Sequence, residues 1–383
     1  MHVPDNVKRV FQQPGPFATA YLDATRSTES GATEVELRWR ALRKQLEDGG
    51  TDSGTLGALD AAVEEIPDAP GARGRVLVAA GGTVLFDEVL PQPPVRELAS
   101  WSPLPALVPY LAQRGPAIAH VLVVADLNGA DISAVSAQHA AEGLGAERVA
   151  SVEGSSPYPI SKTSVRDWSE QHFQQRVENS WAANARDVAD AVRSFAAGVG
   201  AEAVIVAGYP RARSLICQDL LEVLDQHVQV VNLEHGSRAA GSSEQALHGA
   251  VREALLRLSW HHRHEVLDHL KQNLGRKRLA VSGTSDVLTA LQRAQADTVV
   301  LSDDPLSPLR AWIGPEPLQV AETAEDLAAM GVSEPRQDRY DSAMLRAVAG
   351  SDAELLITPN AHEYVQDGIG ALLRYADEST PPG

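Results

Sequence analysis

The chain is 383 residues long and carries 33 basic against 51 acidic side chains, a formal net charge of -18. At about 100–200 residues per domain, that length gives two or three domains with sizeable cores, and 44% apolar with 22% charged residues excludes a disordered, collagenous or disulfide-stapled chain. A surface this acidic repels phosphate at long range, which excludes a general nucleic-acid coat and confines any RNA contact to a local patch.

The first segment opens with GPFATAYLD (15–23), an alternating apolar run after a turn signal that predicts a strand. EVELRWRALRKQLE (34–47) follows at a helical period and is broken by the Gly- and Ser-rich EDGGTDSGT, after which Leu56 to Ile66 resumes as a shorter helix. GRVLVAA (74–80) and GTVLFDEVL (82–90) meet at Gly81 and Gly82 as a hairpin does. This reads as an α+β domain over 1–115.

A second unit starts at AIAHVLVVADLNGADISAV, two apolar strands around the hairpin signal Leu127, Asn128 and Gly129. Periodicity is then lost, and a long loop is expected over 154–176. Helix returns near 176–197, with Trp181, Val188, Val192 and Phe195 toward the core. EAVIVAG, LICQDLLEVLDQH and VQVVNL continue as strand, helix and strand, an α/β layer with parallel pairing. The small, polar HGSRAAGSSE (235–244) predicts a linker, so the middle domain is placed at 116–240 and the last, a second α/β sandwich, at 241–383. That domain begins with a helix over about 243–273 and ends in GIGALLRYA. The expected fold class is thus α/β and α+β, three domains with mixed sheets flanked by helices.

No P-loop, HExxH, GxSxG or complete GxGxxG is present. His261, His262, His264 and His269 cluster on the long helix, but only His261 and His264 share an i, i+3 spacing and neither makes it with His269. A polar helix surface fits them better than a metal site, and no metal or cofactor is implied. The single cysteine, Cys217, sits in an apolar run and reads as a buried small hydrophobe. No apolar run reaches the ~18 residues of a bilayer span, the N-terminus lacks an apolar signal core, and a cytoplasmic protein is expected.

The long loop region is the best candidate for chemistry. Lys162, Arg166 and Arg176 alternate with Trp168, His172 and Phe173, the composition that meets phosphates and stacks on unpaired bases. A solvated loop whose aromatics pack back on the domain is the plainer alternative. Arg211 and Arg213 form a second basic spot directly after the strand EAVIVAG, at the carboxyl end of a strand, where α/β layers commonly take ligands. Ordinary surface arginines are the alternative there.

Three stretches, VLVVADLNGADI (121–132), AVIVAGYPRAR (203–213) and DGIGALLRY (367–375), carry a resemblance to the archaeal and eukaryotic class I peptide-chain release factors. GPFATAYLD is similar to the start of their bacterial relatives, in particular the actinobacterial branch of Balon-like ribosome hibernation factors. The resemblance implies a three-domain, release-factor-like architecture, binding in the ribosomal A site against ribosomal RNA, and a third domain that meets a translational GTPase, EF-Tu in bacteria, through Gly368, Gly370 and Arg374. Neither membrane nor DNA is implied as a partner. True release factors carry Gly-Gly-Gln in the middle domain, where this chain has VRDWSEQHFQQR, and Asn-Ile-Lys-Ser in the first, where it has EDGGTDSGT. The implied function is therefore occupancy of the A site in hibernation or stress, without decoding or hydrolysis. The alternative is a peptidyl-tRNA hydrolase acting on stalled ribosomes, with Gln174 or Gln171 orienting water.

Overall fold

In the computed structural model, residues 2–25, 31–65, 72–90, 92–114, 117–142, 145–153, 168–234, 244–276, 278–304, 307–351 and 353–376 are described. The first segment contains α1 (Asp5–Phe11), β1 (Phe17–Asp23), α2 (Gly31–Asp48), α3 (Ser53–Glu64), the hairpin β2 (Gly74–Ala80) and β3 (Thr83–Leu90), β4 (Leu98–Ser102) and α4 (Val108–Arg114). The middle contains β5 (His120–Ala125), β6 (Gly129–Val135), α5 (Ala137–Glu142), β7 (Arg148–Glu153), α6 (Trp168–Val199), β8 (Ala203–Gly208), α7 (Pro210–Val223), β9 (Gln229–Asn232) and α8 (Glu244–Gly275). The last segment runs β10 (Ala280–Ser282), α9 (Thr284–Gln292), β11 (Ala296–Leu301), β12 (Arg310–Ile313), β13 (Val320–Ala321), α10 (Ala324–Ala329), β14 (Arg336–Arg339), α11 (Tyr340–Ala349), β15 (Glu354–Ile357) and β16 (Ile369–Leu373).

These elements gather into two units, one made of Met1–Gly115 with Arg263–Gly383 and one of Pro116–His262. In the first unit, β3-β2-β1-β4 form an antiparallel sheet. Successive side chains of a strand point to opposite faces, and β1 has apolar residues on both. Ala18, Ala20 and Leu22 pack with Val35, Leu42 and Leu46 of α2 and Leu59 of α3. Phe17 and Tyr21 join a core that also holds Val281, Leu291, Met344 and Leu345. The first and last segments, expected as separate domains, thus share one hydrophobic core. Buried polar bonds brace it: within the first segment, the Tyr21 hydroxyl donates to the Ala106 carbonyl at 2.7 Å and accepts from the Tyr110 amide at 3.0 Å. The buried Asp338 accepts the Leu104 amide at 2.6 Å. The last segment supplies a mixed sheet, β10-β16-β11-β15, and a small antiparallel one, β13-β12-β14.

The middle unit is a five-stranded mixed sheet in the order β7-β6-β5-β8-β9. β5, β6 and β7 pair antiparallel, and β5, β8 and β9 pair parallel. Residues on one face, including Val121, Val123, Val204 and Val206, pack against Val188 and Val192 of α6 and Ile216 and Leu220 of α7. On the other face, Ile205 and Ala207 pack against Val251 and Ala254 of α8. A sheet buried on both sides explains why AVIVAG reads as a continuous apolar run. The fold is mixed α/β with its sheets flanked by helices.

The loop predicted over 154–176 is helical from Trp168 onward, as the start of α6. No Gly or Pro interrupts WSEQHFQQR, so nothing in its backbone chemistry opposes a helix, and the low aliphatic content that suggested a loop concerns burial only. Residues 154–167 lie outside the described residues.

Candidate nucleic-acid interface

The carboxyl ends of β5, β8 and β9 form one edge of the middle sheet, the place where open α/β layers take ligands. Gly208 closes β8 there with φ +112°, and a Cβ built on it would stand 2.0 Å from the Ala125 carbonyl oxygen. Only glycine permits both that backbone conformation and that approach. The chain then turns directly into α7: the Tyr209 amide donates to the Ala125 carbonyl at 2.8 Å, and Pro210 takes the first helical position. Proline suits that position because its missing N–H would have no helical partner anyway.

On the neighbouring strand, the Asp126 carboxylate accepts the Asn128 amide at 2.7 Å and the Gly129 amide at 3.0 Å, fixing the hairpin beside this turn. The first turn of α7 contains no acidic residue, so the positive end of its macrodipole and the Arg211 charge lie together. Arg211 is exposed and Tyr209 is 52% exposed. A cation, a helix N-terminus and an accessible aromatic face are the elements of a phosphate contact with adjacent base stacking.

Arg213, expected to join Arg211, lies inside the fold. It is 8% exposed, and its Nη1 donates to Asn232 Oδ1 at 2.8 Å and to the Leu233 carbonyl. Helical spacing is the reason: residues two apart on a helix point in different directions, and Ala212 and Arg213 face the sheet while Arg211 faces out. Arg213 therefore ties α7 to the end of β9. One turn on, burial pushes the half-buried Cys217 thiol up, and the nearby Arg213 charge opposes it only in part. That environment suits a packing residue rather than a nucleophile.

Of the loop candidates, Lys162 and Arg166 fall outside the described residues, whereas Trp168, Gln171, His172, Phe173, Gln174 and Arg176 occur in sequence order along the first turns of α6. Gln171 and Gln174 thus stand on a regular helix, a different backbone from the turn that a Gly-Gly-Gln sequence permits. Sequence reasoning missed Tyr209 as an accessible aromatic and placed the start of α7 five residues late. The Gly-Tyr-Pro sequence, with proline at the first helical position, carried the signal.

At the other end of the chain, Gly368 and Gly370 are interior, so neither presents a surface to a partner. Gly368 has φ +71°, and a Cβ there would meet the His362 ring at 2.6 Å. Gly370 lies within β16, where a Cβ would meet Val365 Cγ1 at 2.6 Å. Their absent side chains let His362 and Val365 close over the strand. Arg374 is exposed, and its Nε lies 3.6 Å from Asp297. Among the described residues, no helix is long and apolar enough to cross a membrane.

Residues 119–276 match the family model of bacterial archaeo-eukaryotic release factor family 2. The uncharacterized protein Rv2629 of Mycobacterium tuberculosis is 29% identical over 370 residues, 94% of each chain. Among solved structures, an archaeal translation termination factor is 14% identical with a TM-score of 0.22, covering 96% of each chain. Ribosome-bound archaeal Pelota is 15% identical with a TM-score of 0.40, covering 98% of this chain and 94% of the other. The likeness to bacterial archaeo-eukaryotic release factors thus lies in residues 119–276, the segment that spans the middle sheet and α8.

Proposed function

We propose that this protein binds the ribosome and fills the A site as a hibernation or translational-stress factor, without reading stop codons or hydrolysing peptidyl-tRNA. The observation that carries the reading is a combination: residues 119–276 match a release-factor family, yet no two adjacent glycines occur anywhere in that stretch. A release-factor domain without the Gly-Gly-Gln backbone is suited to occupying a site rather than to placing water on an ester.

Within this reading, segments 1–115, 116–240 and 241–383 are the counterparts of the three release-factor domains, with the first half of α8 packed on the middle sheet and the first and last segments sharing a core. Lys162, Arg166, Trp168, His172 and Arg176 approach the peptidyl-transferase region of ribosomal RNA, and Arg211 with Tyr209 adds a separate contact. The net charge of -18 limits nonspecific RNA binding. Arg374, exposed at the end of β16, is the candidate contact for EF-Tu or another translational GTPase. The relative from M. tuberculosis supports the actinobacterial branch, and a ribosome partner implies the cytoplasm.

Cosedimentation from starved cells tests the proposal. The protein should travel with 70S ribosomes and leave them as salt is raised. Its absence from that fraction, while abundant in the lysate, refutes ribosome binding.

A further inference from the structure

The unit built from the first and last segments contains a cleft of about 550 Å³, lined by the turn before β1 and by the loops around β12 and β14. That volume is within the range of small-molecule sites. Its apolar lining includes Phe11, Phe17, Ile313 and Val332, and its charged lining is Arg336, Arg346 and Glu334, two guanidinium groups against one carboxylate.

Arg346 sets the character of the cleft. It projects from α11 and is only 6% exposed. Its Nη1 donates to the Gly314 carbonyl at 2.9 Å, and its Nη2 donates to the carbonyls of Glu316 at 3.0 Å and Gln319 at 3.4 Å. The 314–319 loop is thereby wrapped around the guanidinium and becomes a wall of the cleft. Among the described residues, Nε has no hydrogen-bond partner and no carboxylate forms an ion pair with the group. Burial accordingly pulls the Arg346 pKa down, opposed only by the longer-range charges of Asp338 and Glu316. Carbonyl dipoles solvate a buried cation without neutralising it, and burying an unneutralised charge is costly. A ligand anion in the cleft would supply the missing charge.

We propose that this cleft binds a small organic anion, one phosphate or carboxylate group on an apolar or aromatic body. The anion lies in the field of Arg336 and Arg346, and the body packs against Phe11, Phe17 and Val332. Glu334 repels extended polyanions, which selects a single phosphate or carboxylate group over a nucleic-acid backbone. This site is separate from the middle unit and does not depend on the ribosomal reading.

Isothermal titration calorimetry of the full chain tests it, with phenyl phosphate and benzoate as probes and with inorganic phosphate and benzyl alcohol as controls. Both aromatic anions should bind, inorganic phosphate more weakly, and benzyl alcohol not at all. Ser333 and Arg336 line the cleft and are exposed, so substitutions there can be checked for an unchanged melting temperature. Ser333→Trp should obstruct the cleft and abolish binding. Arg336→Gln should weaken binding roughly tenfold, equivalent to about 1.4 kcal/mol. Absence of heat from both aromatic anions with the wild-type protein overturns the proposal, as does undiminished binding by Ser333→Trp. Equal affinity for benzyl alcohol removes the role assigned to charge.

Discussion

Asp338 provides the sharpest quantitative test of how the first and last segments are joined. Its carboxylate accepts the Leu104 amide from the first segment and the Arg339 amide from its own strand, both at 2.6 Å. Burial raises its pKa from 3.8 to about 6, although the two amide bonds lower it; Asp341 adds to the rise and Arg310 opposes it. A carboxyl whose pKa is raised on folding takes up its proton in the native state first. Its contribution to stability is therefore fully present below about pH 3.8 and is lost as pH rises through about 6. With these two values, the first unit should gain about 1.4 kcal/mol from this one group between pH 7.5 and pH 5. Asp338→Asn cannot titrate and should lack that gain, whatever its absolute stability. Urea unfolding at the two pH values, followed by hydrogen-exchange mass spectrometry on peptides around Leu104 and Asp338, measures the difference. The same pH dependence in wild type and Asp338→Asn would refute the assignment.

Further predictions separate structural from functional roles. Arg211→Glu should leave the middle unit folded, weaken ribosome binding and reduce the slope of log affinity against log salt by about one or more, as loss of a phosphate contact does. Arg213→Ala should instead destabilise the middle unit by about 2–3 kcal/mol through its lost buried hydrogen bonds; a purely binding phenotype with wild-type stability would reverse the two roles. Gly208→Ala should cost at least about 1–2 kcal/mol from its backbone conformation alone, with the Ala125 contact adding to that, and an unchanged melting temperature would contradict the edge geometry. Tyr21→Phe leaves the Ala106 carbonyl and the Tyr110 amide without their buried partner, and thermal unfolding should show a loss of about 1–3 kcal/mol in the first unit.

Much of this fold was legible because burial writes a period into the chain. GRVLVAA and TVLFDEVL meet across Gly81 and Gly82 as expected, and EVELRWRALRKQLE lies within α2. The strands flanking Leu127 to Gly129 pair as a hairpin, and AVIVAG is the buried strand that its apolar run predicted. What escaped was set by tertiary context. β12 and β14 contain Arg310, Arg336 and Arg339 and owe their strand state to pairing with each other, a signal that local pattern does not hold. The core shared by the first and last segments joins residues far apart in sequence, and the bond between Leu104 and Asp338 that ties the two segments spans 234 residues. At the candidate interface, residue type marked Arg211 and Arg213 alike. Only the direction of each side chain on α7 distinguishes an exposed cation from a buried tie.

Cryo-electron microscopy of 70S ribosomes mixed with this protein at physiological salt, with and without EF-Tu, addresses the proposed function most directly. The account predicts density in the A site, with the middle unit oriented so that residues 154–176 point to the peptidyl-transferase centre and Arg211 lies against ribosomal RNA. Intact ribosomes with an empty A site under both conditions would contradict it and move the protein's partner away from the ribosome.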